Sequence, residues 1–213
     1  MLAVALGADI RTYTPCSGLC VENGQWQIET PAEKFAAKVV VNATGPYAQS
    51  FLENMGLMTP DSPHLRLVQG SHLIVPKMYD GDQAYLLQQP DGRVVFVWPY
   101  ERNFSMVGTT ETPFHGDPRD AKLTDFEQDY LLSCLTDFFE KTPQREDVIW
   151  SFSGVRPLFD DNNSDAKKVT RDYRFHRDTT RGATVLSVFG VKLTTYRPLA
   201  EEALAYLKAD FPN

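Results

Sequence analysis

The strongest pattern of apolar and polar positions lies late in the chain. The run Leu186-Ser187-Val188-Phe189 reaches Gly190 and Lys192, and Tyr196, Leu199, Ala200, Ala203, Leu204 and Leu207 then recur at helical spacing. A buried strand followed by a helix is the expected pair. Thr194 or Thr195 is placed to cap the helix, and Pro198 is tolerable in its first turn. Such a helix start presents free N–H groups and a positive dipole end beside Lys192, where an anion fits. Taken alone, however, the stretch reads first as an ordinary strand–turn–helix with a solvated lysine.

Elsewhere the pattern predicts two kinds of region. Met1 to Gly7 reads as the tail of a helix and Ala8 to Tyr13 as a strand. Gly18 to Val21 and Trp26 to Thr30 flank Asn23-Gly24, a pair suited to the positive φ angles of a tight hairpin turn, and Lys34 to Ala37 is a third strand. Val39-Val40-Val41-Asn42 is a buried strand running into the small residues Ala43-Thr44-Gly45, with a short helix through Tyr47, Phe51, Leu52 and Met55 that ends at Gly56.

After Pro60-Asp61-Ser62-Pro63 the pattern becomes that of an antiparallel meander, with strands at 70–76, 84–88, 93–98 and 104–108. Thr124-Asp125-Phe126-Glu127 is a capping box. The helix it opens is predicted to bury Phe126, Tyr130, Leu131, Cys134, Leu135 and Phe138. A strand over 148–158 is predicted to stop where Pro157 holds Arg156 extended, and Thr170 to Phe175 alternates.

Composition narrows the function classes. At 213 residues the chain supports one large domain or two small ones. A net charge of −7 excludes a general nucleic-acid surface, so any anionic ligand needs a local cluster of positive charge. No apolar run is long enough to span a membrane, and the opening residues do not form a signal peptide. Cys16, Cys20 and Cys134 lack zinc or redox spacing and read as free thiols in a reducing compartment. No His/Asp/Glu spacing suggests a metal, and no strand is followed by Gly-x-Gly-x-x-Gly.

Four residues beside small-residue turns are candidates for chemistry: His72, Arg156, Arg171 and Lys192. Arginine forks and a lysine point charge suit a phosphate or carboxylate. The bland alternatives are a hydrogen-bonded core histidine and arginines paired with Asp160 and Asp172.

Five blocks read together resemble FAD-dependent (aerobic) glycerol-3-phosphate dehydrogenase: Val39 to Pro46, Arg66 to His72, Val107 to Glu111, Ser153 to Leu158 and Ser187 to Arg197. They stand in that family's order, which makes the match specific where any single block would be weak. The resemblance implies an α+β / α/β fold in which an antiparallel substrate-binding sheet with flanking helices interrupts the remnants of a glutathione-reductase-like FAD domain, with FAD between them. Its divisions are a partial FAD-binding domain at 1–62, a substrate domain at 63–178 and a return to the FAD-binding domain at 179–213.

The implied activity is oxidation of sn-glycerol 3-phosphate to dihydroxyacetone phosphate, with electrons passed through FAD to a membrane quinone. Carried over residue by residue, His72 and Arg156 would be catalytic, and Arg156, Arg171 and Lys192 would hold substrate. Thr44, Gly45, Gly190, Lys192, Leu193 and Thr194 would lie along the flavin. The implied location is the cytoplasm, peripheral on the inner face of the cytoplasmic membrane, with a homodimer left open. The family's amino-terminal fingerprint and carboxy-terminal helical domain are not found in these residues. A central piece is therefore implied, which alone would be inactive and would not retain FAD. Val191 and Glu111 stand where the family usually has glycine and aspartate. Two other readings are a non-catalytic phosphate- or anion-binding module and an FAD-dependent amine or amino-acid oxidase of the same superfamily.

Overall fold

The computed structural model describes residues 2–160, 173–190 and 192–212. It divides into two compact units, one formed by Met1–His64 with Arg171–Asn213 and the other by Leu65–Thr170.

The first unit opens with a short helix, α1 (Leu2–Ala5), and then a hairpin of β1 (Gly18–Glu22) and β2 (Gln25–Glu29) to which β3 (Lys34–Ala37) adds an antiparallel edge. Asn23 and Gly24 take φ of 52° and 74°, as the turn requires. Ala8 to Tyr13 forms no strand, and Tyr13 is fully exposed. A segment with only Ile10 and Tyr13 as large apolar residues has little to bury. Next come β4 (Val39–Asn42) and α2 (Ala48–Asn54), which ends through Gly56 at φ 65°.

In the second unit β5 (Leu65–Pro76) is the longest strand, followed by β6 (Tyr85–Gln88), β7 (Val94–Tyr100), β8 (Phe104–Gly108) and the two-residue β9 (Thr112–Pro113). Helix α3 (Asp125–Ser133) then precedes β10 (Trp150–Phe159), and the sheet order is β10-β5-β8-β7-β6 with β9 also on β5. Every pairing is antiparallel. β10 does not stop at Arg156 but runs through Pro157 to Phe159. The proline is tolerated because β10 is an edge strand, where a missing N–H breaks no ladder on the open side.

Helix α3 and the turn after it pack Leu131, Cys134 and Leu135 onto Leu73, Val75, Leu87, Val95, Val97 and Val107. The capping box forms in both directions between Thr124 and Glu127. The predicted stripe is too wide at its ends: Phe126 is 70% and Phe138 48% exposed, whereas Glu127 is buried. Leu131 sits at the centre of this core. Leu131→Ala is expected to cost about 2–5 kcal/mol, read as a fall in the urea midpoint of the second unit.

The chain returns to the first unit with β11 (Arg174–Asp178) and β12 (Thr184–Phe189), which pair antiparallel, while β12 pairs parallel with β4. β11 and β12 both lie in the first unit. All six residues of β12 are buried, as its apolar run predicted. The Trp26 indole, also buried, donates to the Thr184 carbonyl at 2.7 Å and ties the hairpin to β12. Helix α4 (Tyr196–Leu207) follows. Of its predicted apolar face only Leu207 is buried, and Tyr196 and Leu204 are 67% and 70% exposed, since no described part of the first unit packs over them. No helix among the described residues is long and apolar enough to cross a membrane.

Candidate functional site

Residues directly opposed across an antiparallel ladder share a face of the sheet. The registers therefore put Gly70 and His72 of β5, Phe152, Gly154 and Arg156 of β10, and Gly108 of β8 on one side, and Gln69, Ser71, Leu73 and Ser153 on the other. The second side faces the core under α3. The first is open, with Phe96, Trp150 and Phe152 exposed on it.

His72 lies over Gly108. A Cβ at Gly108 would stand 2.1 Å from His72 Cδ2, so the imidazole occupies the space that a side chain would fill. The ring stacks on Phe152 at 4.7 Å between centroids and turns towards Trp98 edge-on at 6.1 Å. Its Nδ1 is buried and has no hydrogen-bond partner among the described residues, unlike the satisfied core histidine of the bland reading. Burial, and secondarily the Arg156 charge, hold its pKa below the ordinary imidazole value, so it is the free base at neutral pH.

Arg156 lies over Gly70 in the same manner: a Cβ there would be 2.1 Å from its Nη2. Nη2 donates to Thr109 Oγ1 at 3.0 Å and to the Thr110 carbonyl at 3.1 Å, and Nη1 to Glu111 Oε1 at 3.2 Å. Glu111 is thus a carboxylate partner of Arg156, and Asp160 accepts from Arg66 at 2.9 Å. Gly70 and His72 are two residues apart on one strand face, about 7 Å. The Arg156 guanidinium and the His72 imidazole thus lie on the same open face of the sheet.

The first unit carries the other candidates. Thr44 and Gly45 follow β4, and Gly190 and Lys192 follow β12, so these residues leave the same carboxyl edge of two neighbouring parallel strands, where α/β sheets collect ligands. Asn42, buried at the end of β4, shapes that edge. Its Nδ2 donates to the Ala48 carbonyl at 2.9 Å and to Ser187 Oγ at 3.2 Å, and its Oδ1 accepts from Thr44 Oγ1 at 2.7 Å. Gly45 and Gly190 have φ of 61° and 68°, and a Cβ at Gly45 would meet nothing within 4 Å. Lys192 and Thr194 are exposed, and Leu193 is 86% exposed. Small residues, open backbone and an uncovered apolar side chain fit a flat dinucleotide laid along this edge.

The predicted threonine cap of α4 is not made: Thr195 Oγ1 instead donates to the Lys192 carbonyl, closing the turn before the helix. Arg171, with Asp172 and Val191, lies outside the described residues. Among the described residues no group of acidic, histidine or cysteine side chains could hold a metal, and the three cysteines are free thiols.

Residues 1–195 match the family model described as FAD dependent oxidoreductase. The chain belongs to the FAD dependent oxidoreductase family. Among its relatives are D-erythritol 1-phosphate dehydrogenase of Brucella abortus, 44% identical over 99% of this chain and 43% of that protein, and aerobic glycerol-3-phosphate dehydrogenase of Escherichia coli, 41% identical over 97% of this chain and 42% of that protein. The solved glycerol-3-phosphate dehydrogenase from Bacillus halodurans, complexed with FAD, superposes with a TM-score of 0.79 at 26% identity, covering 97% of this chain and 40% of that one. The chain thus spans about two fifths of the length of these relatives.

Three features of this candidate site were not read from the sequence. Gly70 and Gly108 are the seats of the two candidate side chains, Thr109 and Thr110 hold the guanidinium, and Asn42 sets the β4 edge. A signal for Asn42 is present, since a polar residue closes an otherwise apolar strand. None marks the glycines, because their role depends on which strands become neighbours.

Proposed function

We propose that this chain is the substrate-binding sheet, with part of the cofactor-binding unit, of an FAD-dependent dehydrogenase that oxidises a small polyol phosphate, with sn-glycerol 3-phosphate giving dihydroxyacetone phosphate as the first candidate. The carrying observation is the free-base His72 beside the Arg156 guanidinium on one open sheet face. Arg156 binds substrate oxygens with its fork, and Arg171 and Lys192 are assigned the same ligand. Thr44, Gly45, Gly190, Lys192, Leu193 and Thr194 are assigned to FAD.

When bound, FAD supplies the acceptor for the hydride that leaves the carbinol carbon. His72 takes the hydroxyl proton as that C–H bond breaks, so the alcohol becomes a ketone. With no described protein group holding Nδ1, the tautomer that leaves a lone pair at Nε2 is available to it. Phe152 and Trp98 fix the ring plane and shield it from water. A membrane quinone is assigned as the next electron acceptor, and the inner face of the cytoplasmic membrane as the protein's location. Glu111, paired with Arg156, sets how far the guanidinium extends towards substrate. The relative that acts on D-erythritol 1-phosphate supports a second reading, in which the substrate has four carbons.

Arg156→Lys is the test. Lysine keeps the charge but loses the fork, so in the full-length protein that carries this chain the KM for glycerol 3-phosphate is expected to rise roughly 10- to 100-fold with flavin content unchanged. An unchanged KM for both three- and four-carbon phosphates would remove Arg156 from the site and the polyol phosphate with it.

A further inference from the structure

A buried polar cluster of the second unit lies under the site, on the core side of the sheet, and centres on Glu127, which is 1% exposed. As N3 of a capping box it needs to reach only Thr124, whose amide and hydroxyl donate to Oε2 at 3.1 and 3.0 Å. It reaches much further. Gln69 Nε2 donates to Oε2 at 2.7 Å, and Thr110 Oγ1 and Ser71 Oγ donate to Oε1 at 2.6 and 3.0 Å. Burial opposes the charge, but the bonds from Thr110, the Thr124 amide, Ser71 and the Thr124 hydroxyl together hold the pKa below the ordinary carboxylate value. The group is therefore a carboxylate surrounded by donors. An isosteric amide would present its own N–H groups to some of them.

We infer that Glu127 is a positioning residue for the site on the opposite face, acting on Arg156 through Thr110. Thr110 is the link because it faces both ways. Its hydroxyl donates to Glu127 and accepts from the Ser71 amide at 2.9 Å, while its carbonyl accepts from Arg156 Nη2 at 3.1 Å. Thr109, the other acceptor for Nη2, precedes it in the chain. Ser71 is held at its amide by Thr110 and at its hydroxyl by Glu127, and it immediately precedes His72. One buried charge thus fixes the backbone that carries the imidazole and the backbone that holds the guanidinium, without touching substrate. A helix cap alone accounts for neither the Thr110 nor the Ser71 bond.

The inference rests on Arg156 binding substrate, and the experiment separates the two. In the flavin-loaded full-length protein that carries this chain, affinity for dihydroxyacetone phosphate, which oxidised flavin does not turn over, is measured by calorimetry. The proteins compared are wild type, Arg156→Lys, Glu127→Gln, Thr110→Val and the double variant Glu127→Gln/Arg156→Lys, each with its fold verified by circular dichroism. Glu127→Gln and Thr110→Val are each expected to weaken binding about tenfold, or about 1.4 kcal/mol, and the double variant to bind no more weakly than Arg156→Lys alone, because one pathway cannot be broken twice. Additive losses would mean that Glu127 only supports the fold, and would overturn the inference. If Arg156→Lys weakens binding while Glu127→Gln and Thr110→Val bind as wild type, the inference alone falls. If Arg156→Lys changes nothing, the substrate reading falls and takes the inference with it. Should Glu127→Gln not fold, Thr110→Val, which leaves the helix cap intact, decides on its own.

Discussion

Replacing His72 with asparagine in the flavin-loaded full-length protein that carries this chain is expected to lower kcat by about 10²–10⁴ with little change in flavin content. The large effect follows from the ring's seat. It lies over a glycine, stacked on Phe152, with one nitrogen buried and no described protein partner to share its proton. Asparagine keeps a polar side chain of similar reach but cannot take a proton.

The pH profile supplies an independent check. Burial first, and the Arg156 charge second, depress the pKa of His72, so the acid limb of kcat/KM should have its midpoint below the ordinary value of about 6.5. Arg156→Met should move that midpoint up, but only part of the way, since burial remains. The stability sign runs in the same direction: with a depressed folded pKa, His72 contributes stability above about pH 6.5 that is lost as pH falls through the folded value. An acid limb centred above the ordinary value, or kcat unchanged in His72→Asn, would remove His72 from proton transfer.

Gly108→Ala should be nearly as damaging although the residue carries no chemistry. The added Cβ would fall 2.1 Å from Cδ2 and 2.7 Å from Nε2 of His72, and a stacked, partly buried imidazole has little room to retreat. The expected outcome is a loss of kcat/KM of about two orders of magnitude, the scale of a misplaced catalytic group. The fold should survive, because the clash lies on the open side of the sheet. A wild-type rate in a folded Gly108→Ala protein would show that the ring's position over Gly108 is not the one used in turnover.

These two residues also show how far the sequence was legible. Local chemistry was readable: the Asn23-Gly24 turn, the Thr124/Glu127 box and the fully buried β12 each follow from neighbours in the chain. His72 and Arg156 could be marked from their small-residue surroundings and from the resemblance. The seat of each could not, because Gly108 meets His72 and Gly70 meets Arg156 only after β8, β5 and β10 have paired across long separations. Glu127 illustrates the same limit. Its capping role is a local pattern, and its bonds to Ser71 and Thr110 are products of packing. Burial was misjudged where it depends on what covers a helix, so Phe126, Phe138, Tyr196 and Leu204 are exposed despite their helical spacing.

The ladder between β5 and β10 closes with Leu65 opposite Phe159, so the second unit begins and its last described strand ends on paired neighbours. The β4–β12 pair, by contrast, must bring Val40 beside Val185 across that whole excursion. A free loop of that length pays a closure entropy that grows with its length, but once the second unit has collapsed with Leu65 beside Phe159 only the residues outside that ladder remain to be closed. During synthesis the second unit is also complete before β12 emerges. Folding should therefore proceed from the inside of the sequence outward, with the parallel pair at the candidate cofactor edge assembled last.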